Sequence, residues 1–157
     1  GSQIMVGGFL LNNELTDFSF RPTKDGEPVA NRLEPGKRPR SSMAPTIVFD
    51  ESGEVRLVVG SPGGSRIIGY VAKTLVAVLD WNLDIQTAID MGHLVNRNRF
   101  TDIELGTPAA RLQAPLEALG NRVKLRDLNS GLHGIEVIDG KLRGGADPRR
   151  EGVAQGD

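Results

Sequence analysis

The feature that most constrains the fold is an abrupt change of pattern at residues 60–66, where a strand signal meets a helix signal. Residues 55–59 (Val-Arg-Leu-Val-Val) are almost entirely apolar, which is typical of a strand inside a sheet. The segment Gly-Ser-Pro-Gly-Gly-Ser-Arg breaks that run, and apolar residues then recur at helical spacing over residues 66–81. The sequence therefore predicts a sheet strand, a tight glycine-rich turn and a helix that is covered on most of its sides.

The other signals add strands that bracket helices instead of alternating strictly with them, and this arrangement predicts the α+β class. Residues 21–39 are polar, rich in proline and glycine and without periodicity, so we expect a long loop there. The remaining predicted elements are strands at 46–49, 123–125 and 134–138, helices at 84–91 and 108–119, and turns at 50–53, 139–140 and 144–150. The last of these turns leaves Arg149 available for a salt bridge.

Composition excludes several classes of function. The chain has 157 residues, no cysteine and a formal net charge of −1, so disulfides, thiolate zinc sites and a cysteine nucleophile are ruled out. Its two histidines, His93 and His133, have no partner at a catalytic spacing, and we interpret both as structural. The longest apolar run, residues 67–81, is interrupted by Lys73 and Asp80 and is too short to cross a bilayer. We expect no cofactor, no metal, no nucleic acid and no membrane span.

The turn at residues 60–66 is the first candidate for chemistry. Gly63 and Gly64 can adopt positive φ and present bare amides, and Ser65 can cap the following helix. The first N–H groups of a helix lack internal partners and lie at the positive end of its dipole, so this corner suits an anion. The turn could cradle a phosphate or donate hydrogen bonds to the oxyanion of an acyl transfer, and the glycines could equally serve turn geometry alone. The Walker phosphate pattern is not matched in its spacing.

Two polar pairs elsewhere are candidates for substrate contacts. Glu14 and Asp17 lie three positions apart, and two carboxylates directed into one cleft can hold an ammonium group. Ser41 and Ser42 follow a basic run, and their adjacent hydroxyls can bind a carboxylate or a phosphate. For each pair the alternative is a solvated turn.

Four motifs then appear in the order found in one enzyme family. They are Leu-Leu-Asn-Asn-Glu-Leu-Thr-Asp-Phe at 10–18, Gly-Lys-Arg-Pro-Arg-Ser-Ser-Met-Ala-Pro-Thr at 36–46, Gly-Ser-Pro-Gly-Gly-Ser-Arg at 60–66 and Gly-Ala-Asp-Pro-Arg at 145–149. Together they resemble the γ-glutamyltransferases, also called γ-glutamyl transpeptidases or glutathione hydrolases, over nearly the whole chain. The resemblance implies the N-terminal nucleophile hydrolase fold, an αββα sandwich of two stacked sheets between helix layers, represented here only in part.

The resemblance also assigns roles to the candidate residues, motif by motif. It matches Gly63 and Gly64 to the amides of the oxyanion hole. It matches the other four to the γ-glutamyl donor, whose α-amino group is held by Glu14 and Asp17 and whose α-carboxylate is bound by Ser41 and Ser42.

The resemblance implies a precursor that cleaves itself into a large and a small subunit. The nucleophile is the threonine that begins the small subunit, and its own α-amine can serve as base. The threonines of this chain are internal and none matches that position. We therefore expect residues 1–157 to be the C-terminal portion of a small subunit, inactive without the nucleophile-bearing segment and the large subunit. Gly1 and Ser2 are either native or a remnant of tag removal.

The expected parent enzyme cleaves γ-glutamyl amides such as glutathione and passes the γ-glutamyl group to water or to an amino-acid or peptide acceptor through an acyl-threonine. Its expected partners are the large subunit, the missing part of the small subunit and γ-glutamyl substrates, and open sheet edges should make the isolated chain self-associate. The resemblance implies a periplasmic or extracellular location. The alternatives are a related acylase of the cephalosporin-acylase type and a non-catalytic binding or assembly domain.

Overall fold

The computed structural model describes residues 3–156, so Gly1 and Ser2 lie outside the described residues. The chain divides into two compact units, Gly1–Ser41 and Ser42–Asp157. Of the helices within residues 3–156, none combines the length and the apolar character that crossing a membrane requires.

The first unit is built from tight turns. Strands β1 (Met5–Val6) and β2 (Phe9–Leu10) form an antiparallel hairpin. Gly7 and Gly8 make its turn with φ angles of +61° and +85°, which glycine adopts without a steric cost. A 3₁₀ helix, Glu14–Asp17, follows. The predicted loop at 21–39 contains one short hairpin, in which β3 (Thr23–Lys24) pairs with β4 (Glu27–Pro28).

Over residues 42–156, the second unit contains two sheets and three α-helices. Its elements in chain order are β5 (Thr46–Phe49), β6 (Val55–Gly60), α1 (Ile67–Leu79), α2 (Ile85–Asp90), β7 (Leu94–Asn96), β8 (Thr101–Glu104), α3 (Gln113–Ala118), β9 (Val123–Arg126), β10 (His133–Ile138) and β11 (Lys141–Ala146). The larger sheet is antiparallel, in the order β11-β10-β6-β5, so the apolar strand β6 lies inside a sheet as predicted. In the smaller sheet β8 lies between antiparallel β7 and parallel β9.

One face of the larger sheet is covered by α1 and α2. Leu57 and Val59 of β6 point into this core and are buried. Helix α2 packs closely because glycines face it. A Cβ added at Gly134 would lie 2.7 Å from the Cδ1 atom of Ile85, and one added at Gly145 would lie 2.9 Å from the same atom of Ile89. A side chain at either glycine would push α2 away from the sheet.

The opposite face of that sheet is exposed and apolar within the described residues. Ile47 pairs with Val58, which pairs in turn with Ile135, and these three side chains form a row across three strands. They are 55%, 38% and 45% exposed. A monomeric soluble domain seldom leaves such a row uncovered.

The structure corrects several details of the sequence prediction. Helix α1 is covered on most of its sides, as predicted, and leaves exposed only one narrow stripe formed by Ile68, Ala72 and Val76. The predicted helices at 66–81 and 108–119 each begin as a 3₁₀ turn, at Gly64–Arg66 and Pro108–Leu112. The predicted turn at 144–150 begins later, since β11 continues to Ala146. Strands β7 and β8 were not predicted, because their burial comes from tertiary packing and not from an alternating pattern.

Candidate active site

The glycine-rich turn joins β6 to α1 and adopts the backbone conformation that the sequence predicts. Gly63 has φ of +140° and Gly64 has φ of +56°. Among residues 3–156, no group accepts a hydrogen bond from the amide of either glycine. The amides therefore remain available to an anion at the start of the helix.

The two glycines differ in the space around them. A Cβ added at Gly63 would lie 2.7 Å from the Cε2 atom of the buried Tyr70 ring, whereas one added at Gly64 would meet nothing within 4 Å. Gly63 is therefore required by a close approach as well as by its backbone angle, and Gly64 by its backbone angle alone. Ser65 does not cap the helix as predicted: its hydroxyl accepts a hydrogen bond from the Arg97 guanidinium.

Glu14 and Asp17 lie on one turn of 3₁₀ helix in the first unit. Side chains three positions apart in a 3₁₀ helix lie on the same side, so both carboxylates share one face. The turn is fixed at its two ends, because Asn12 accepts from the Glu14 amide at 3.0 Å and Asn31 donates to the Asp17 carbonyl at 2.7 Å. The Oε1 atom of Glu14 is buried and has no hydrogen-bond partner among the described residues.

Ser41 and Ser42 are the residues between which the two units divide. They lie in an extended stretch without regular structure, and Ser42 is partly buried. The preceding Arg40 is anchored by its amide, which donates to Oδ1 of Asn31 at 2.8 Å. Of the predicted residues, the structure brings Glu14 and Asp17 together in the first unit.

A buried polar chain that the sequence did not predict lies in the second unit. Nε2 of His93 is 2.6 Å from the Ser130 hydroxyl, which in turn donates to Oδ2 of Asp147. All three side chains are essentially inaccessible to solvent. The residues are far apart in sequence, so no local spacing could have revealed this chain.

The hydrogen-bond directions fix the tautomer of His93. An ionised Asp147 only accepts, so the Ser130 hydroxyl donates to it and must accept from Nε2–H of His93. Nδ1 of His93 is then a bare lone pair, and it is buried without a hydrogen-bond partner in the part of the chain that the structure describes. Burial of the ring, reinforced by the charges of Lys73 and Arg149, lowers the pKa of His93 to about 3. The histidine is neutral and structural, as expected from the sequence.

Arg149 completes this buried network with the salt bridges that the sequence predicts. Its guanidinium binds Glu104 at 2.5 and 2.8 Å and Asp147 at 3.0 Å. It also donates to the carbonyls of Ile89 and Met91, both at 3.2 Å. The carbonyls at the end of α2 are thus bound by Arg149.

Lys73 binds the same helix end. Its ammonium group donates to the carbonyls of Ala88 and Met91, both at 2.9 Å. Burial of the amine, with the charge of Arg149 nearby, lowers the pKa of Lys73 to about 8. Two buried cations therefore hold α2 against the rest of the second unit.

The buried neutral histidine predicts a pH-dependent stability. An unfolded histidine binds a proton near pH 6.5, whereas folded His93 does so near pH 3. Between these values the unfolded state holds more protons, so stability falls as pH falls, by about 1.4 kcal/mol per pH unit. We expect urea unfolding at pH 6.0 and 4.5, followed by Trp81 fluorescence, to give this slope in the native chain. The His93→Gln variant should give a much flatter slope.

The exposed His133 provides the matched control, since His133→Gln removes a histidine without touching the buried chain. An equal slope in the native chain and His93→Gln would contradict the assignment of a neutral, buried His93.

The gamma-glutamyltranspeptidase family model matches residues 1–157. The chain belongs to the γ-glutamyltranspeptidase family. The glutathione hydrolase proenzyme of Escherichia coli (strain K12) is 39% identical over 168 residues, which cover 95% of this chain and 27% of that protein. The chain therefore spans about a quarter of the length of this curated relative.

Solved structures of γ-glutamyltranspeptidases have the same fold as this family member. A mutant of the Helicobacter pylori enzyme matches with a TM-score of 0.80 and 36% identity, over 96% of this chain and 87% of that chain. The Pseudomonas nitroreducens enzyme, complexed with L-DON, matches with a TM-score of 0.81 and 32% identity, over 100% of this chain and 87% of that chain. These likenesses confirm the predicted α+β class and the N-terminal nucleophile hydrolase type of fold.

Proposed function

We propose that this chain is the C-terminal portion of the small subunit of an enzyme that cleaves γ-glutamyl amides such as glutathione. The enzyme transfers the γ-glutamyl group to water or to an amino-acid or peptide acceptor through an acyl-threonine. The shares of two relatives that this chain covers support its assignment to one subunit of a processed precursor. The chain covers 27% of the E. coli proenzyme but 87% of the matched chain in the H. pylori structure. The matched polypeptide in that structure is thus far shorter than a proenzyme.

The observation that carries the proposal is the buried, unpartnered Oε1 atom of Glu14 on the face it shares with Asp17. A buried carboxylate oxygen without a donor is costly unless a ligand supplies one. An ammonium group supplies three N–H donors and a compensating charge. A γ-glutamyl donor carries such an α-ammonium group, whereas the glutaryl side chain of an acylase substrate lacks it. This pair therefore favours a γ-glutamyl amide over the acylase alternative.

In the proposed reaction the threonine hydroxyl attacks the γ-carbonyl carbon and gives its proton to the α-amine of the same threonine. The amides of Gly63 and Gly64 donate to the resulting oxyanion. Collapse of this intermediate expels the amine, which takes up that proton, and leaves an acyl-threonine ester. Water or an acceptor amine then attacks the ester and releases the threonine. The hydroxyls of Ser41 and Ser42 bind the α-carboxylate of the donor throughout.

The proposed partners are the large subunit and the preceding part of the small subunit. The exposed apolar row of Ile47, Val58 and Ile135 supports this proposal, since a second sheet stacked on it would bury these side chains. The same row supports the expectation that the isolated chain self-associates. The proposed location of the parent enzyme is periplasmic or extracellular, as the resemblance implies.

The test compares the complete protein with residues 1–157 alone, using γ-glutamyl-p-nitroanilide and glutaryl-p-nitroanilide as substrates. We expect the complete protein to hydrolyse the γ-glutamyl anilide and to strongly prefer it to the glutaryl anilide. We expect the isolated chain to release no p-nitroaniline above background. Glu14→Gln should raise KM for the γ-glutamyl anilide about tenfold or more, because a charged hydrogen bond to the ammonium group is weakened.

Each alternative predicts a different outcome. A preference for the glutaryl anilide would indicate the acylase, and no hydrolysis of either by the complete protein would indicate a binding or assembly domain. Enzyme-level turnover by residues 1–157 alone would show that the nucleophile lies within this chain.

A further inference from the structure

A cluster of arginines surrounds one buried carboxylate beside the glycine-rich turn. Asp102 of β8 accepts from Nη2 of Arg66 at 2.9 Å and from Nε of Arg126 at 2.8 Å. Nη2 of Arg97 is 3.9 Å from the same carboxylate. The Asp102 side chain is only 5% exposed, whereas those of Arg97 and Arg126 are 42% and 45% exposed. The buried carboxylate of Asp102 therefore holds guanidinium groups that are themselves partly exposed to solvent.

The cluster carries more positive charge than its own carboxylate can balance. Within residues 3–156 these three arginines form ion pairs with Asp102 alone, so three cations face one anion. The Nε atom of Arg66 is buried and has no partner among the described residues. The chain as a whole has a formal net charge of −1, so this concentration of positive charge is local.

Neighbouring residues extend the positive charge. The Phe100 ring, in the turn between β7 and β8, is contacted by two further cations. The guanidinium carbon of Arg122 lies 4.3 Å from its centroid, and Nζ of Lys124 lies 3.7 Å from it. The surface around this turn is therefore suited to an anionic ligand.

The cluster is joined directly to the proposed oxyanion turn. Arg97 donates to the hydroxyl of Ser65, the residue after Gly64. The Arg66 amide closes the same turn by donating to the Gly63 carbonyl at 3.2 Å. Because Ser65 directly follows Gly64 in the chain, an anion bound by Arg97 would lie close to the proposed oxyanion-hole amides of Gly63 and Gly64.

We propose that Arg97, supported by Asp102 and Ser65, binds the free carboxylate of the amine-side substrate, meaning the peptide acceptor or the peptide leaving group. This inference rests on the proposed function. The amine of a dipeptide and its C-terminal carboxylate are separated by about 7 Å in an extended conformation. A dipeptide whose amine faces the acyl group at the oxyanion turn can therefore extend its carboxylate towards the arginine cluster. A guanidinium fork matches the two oxygens of a carboxylate.

The experiment uses the complete protein with γ-glutamyl-p-nitroanilide as donor, because its leaving group has no carboxylate. Transfer is measured with glycylglycine and with glycylglycinamide, which present the same amine and differ in the carboxylate. We expect the native enzyme to have a lower KM for glycylglycine than for its amide. Arg97→Gln should raise KM for glycylglycine about tenfold and so remove the preference. Arg97→Lys should retain part of it, because the charge stays while the fork is lost.

Arg99→Gln is the matched control, since it removes the same charge from the same turn and Arg99 does not pair with Asp102. It should keep the preference for glycylglycine. The proposal is overturned if Arg97→Gln keeps the preference, if it raises KM for both acceptors equally, or if it blocks formation of the two-chain enzyme, which would assign Arg97 to a subunit interface. A native enzyme that does not hydrolyse the donor at all would instead contradict the proposed function.

Discussion

We expect Gly63→Ala to lower the acylation rate of the complete enzyme by about 10²–10³, the usual cost of losing one oxyanion donor. The added Cβ would lie 2.7 Å from the Tyr70 ring, so either the turn or the ring must shift. Because an oxyanion exists only after attack on the carbonyl, kcat should fall far more than KM for the donor changes. Single-turnover release of p-nitroaniline measures the acylation step directly.

Gly64 provides the comparison within the same turn. Its Cβ direction is open and its φ is +56°, a conformation that asparagine tolerates better than other residues with side chains. Gly64→Asn should therefore retain the acylation rate to within about tenfold, while Gly64→Val should lose more because of backbone strain and not lack of space. If Gly63→Ala acylates within a few-fold of the native enzyme, the glycines serve turn geometry only.

We expect Arg149→Ala to lower the free energy of unfolding of the chain by about 3–5 kcal/mol. The guanidinium is the shared partner of Glu104 and Asp147, whose side chains are 9% and 0% exposed. Removing it leaves two buried carboxylates without their counter-charge. Urea unfolding at sub-micromolar chain concentration, where self-association is least, and followed by Trp81 fluorescence, measures the loss.

Two further variants define what Arg149 contributes. Arg149→Lys keeps the charge but not the fork that binds both carboxylates, so it should recover only part of the stability. Arg111→Ala removes an exposed arginine and should change the unfolding free energy by no more than about 0.5 kcal/mol. A loss below about 1 kcal/mol for Arg149→Ala would mean that the buried carboxylates do not depend on this side chain.

Titration of Asp147, in addition to that of His93, should lower the stability of the chain at acidic pH. Burial alone would raise the pKa of Asp147, but hydrogen bonds from Ser130, from the Leu132 amide and from Arg149 hold that pKa below its usual value. The stability from this carboxylate is therefore present above the pKa of an unfolded aspartate and is lost as pH falls through the lower folded value.

The sequence predicts most of the second unit because its signals are local. The hairpin of β5 and β6, the glycine turn and α1 each follow from the side chains of a few consecutive residues. Helix α2 lies within the predicted range 84–91 and begins after Asp84, whose carboxylate accepts from the amides of Gln86 and Thr87, both at 3.1 Å. The short strands β7 and β8 gave no such signal, since β8 is buried on both faces and carries charged side chains there.

The sequence by itself determined the family, the strand–turn–helix unit and the positive φ of Gly63 and Gly64. These depend on which residues follow one another in the chain, and backbone sterics permit few alternatives for such a segment. Only the tertiary structure decided which charges meet. Arg66 meets Asp102 across 36 residues, His93 meets Ser130 across 37, and Arg149 meets Glu104 across 45. Contacts at such separations arise from how the sheets and helices pack, and a local pattern carries no information about them.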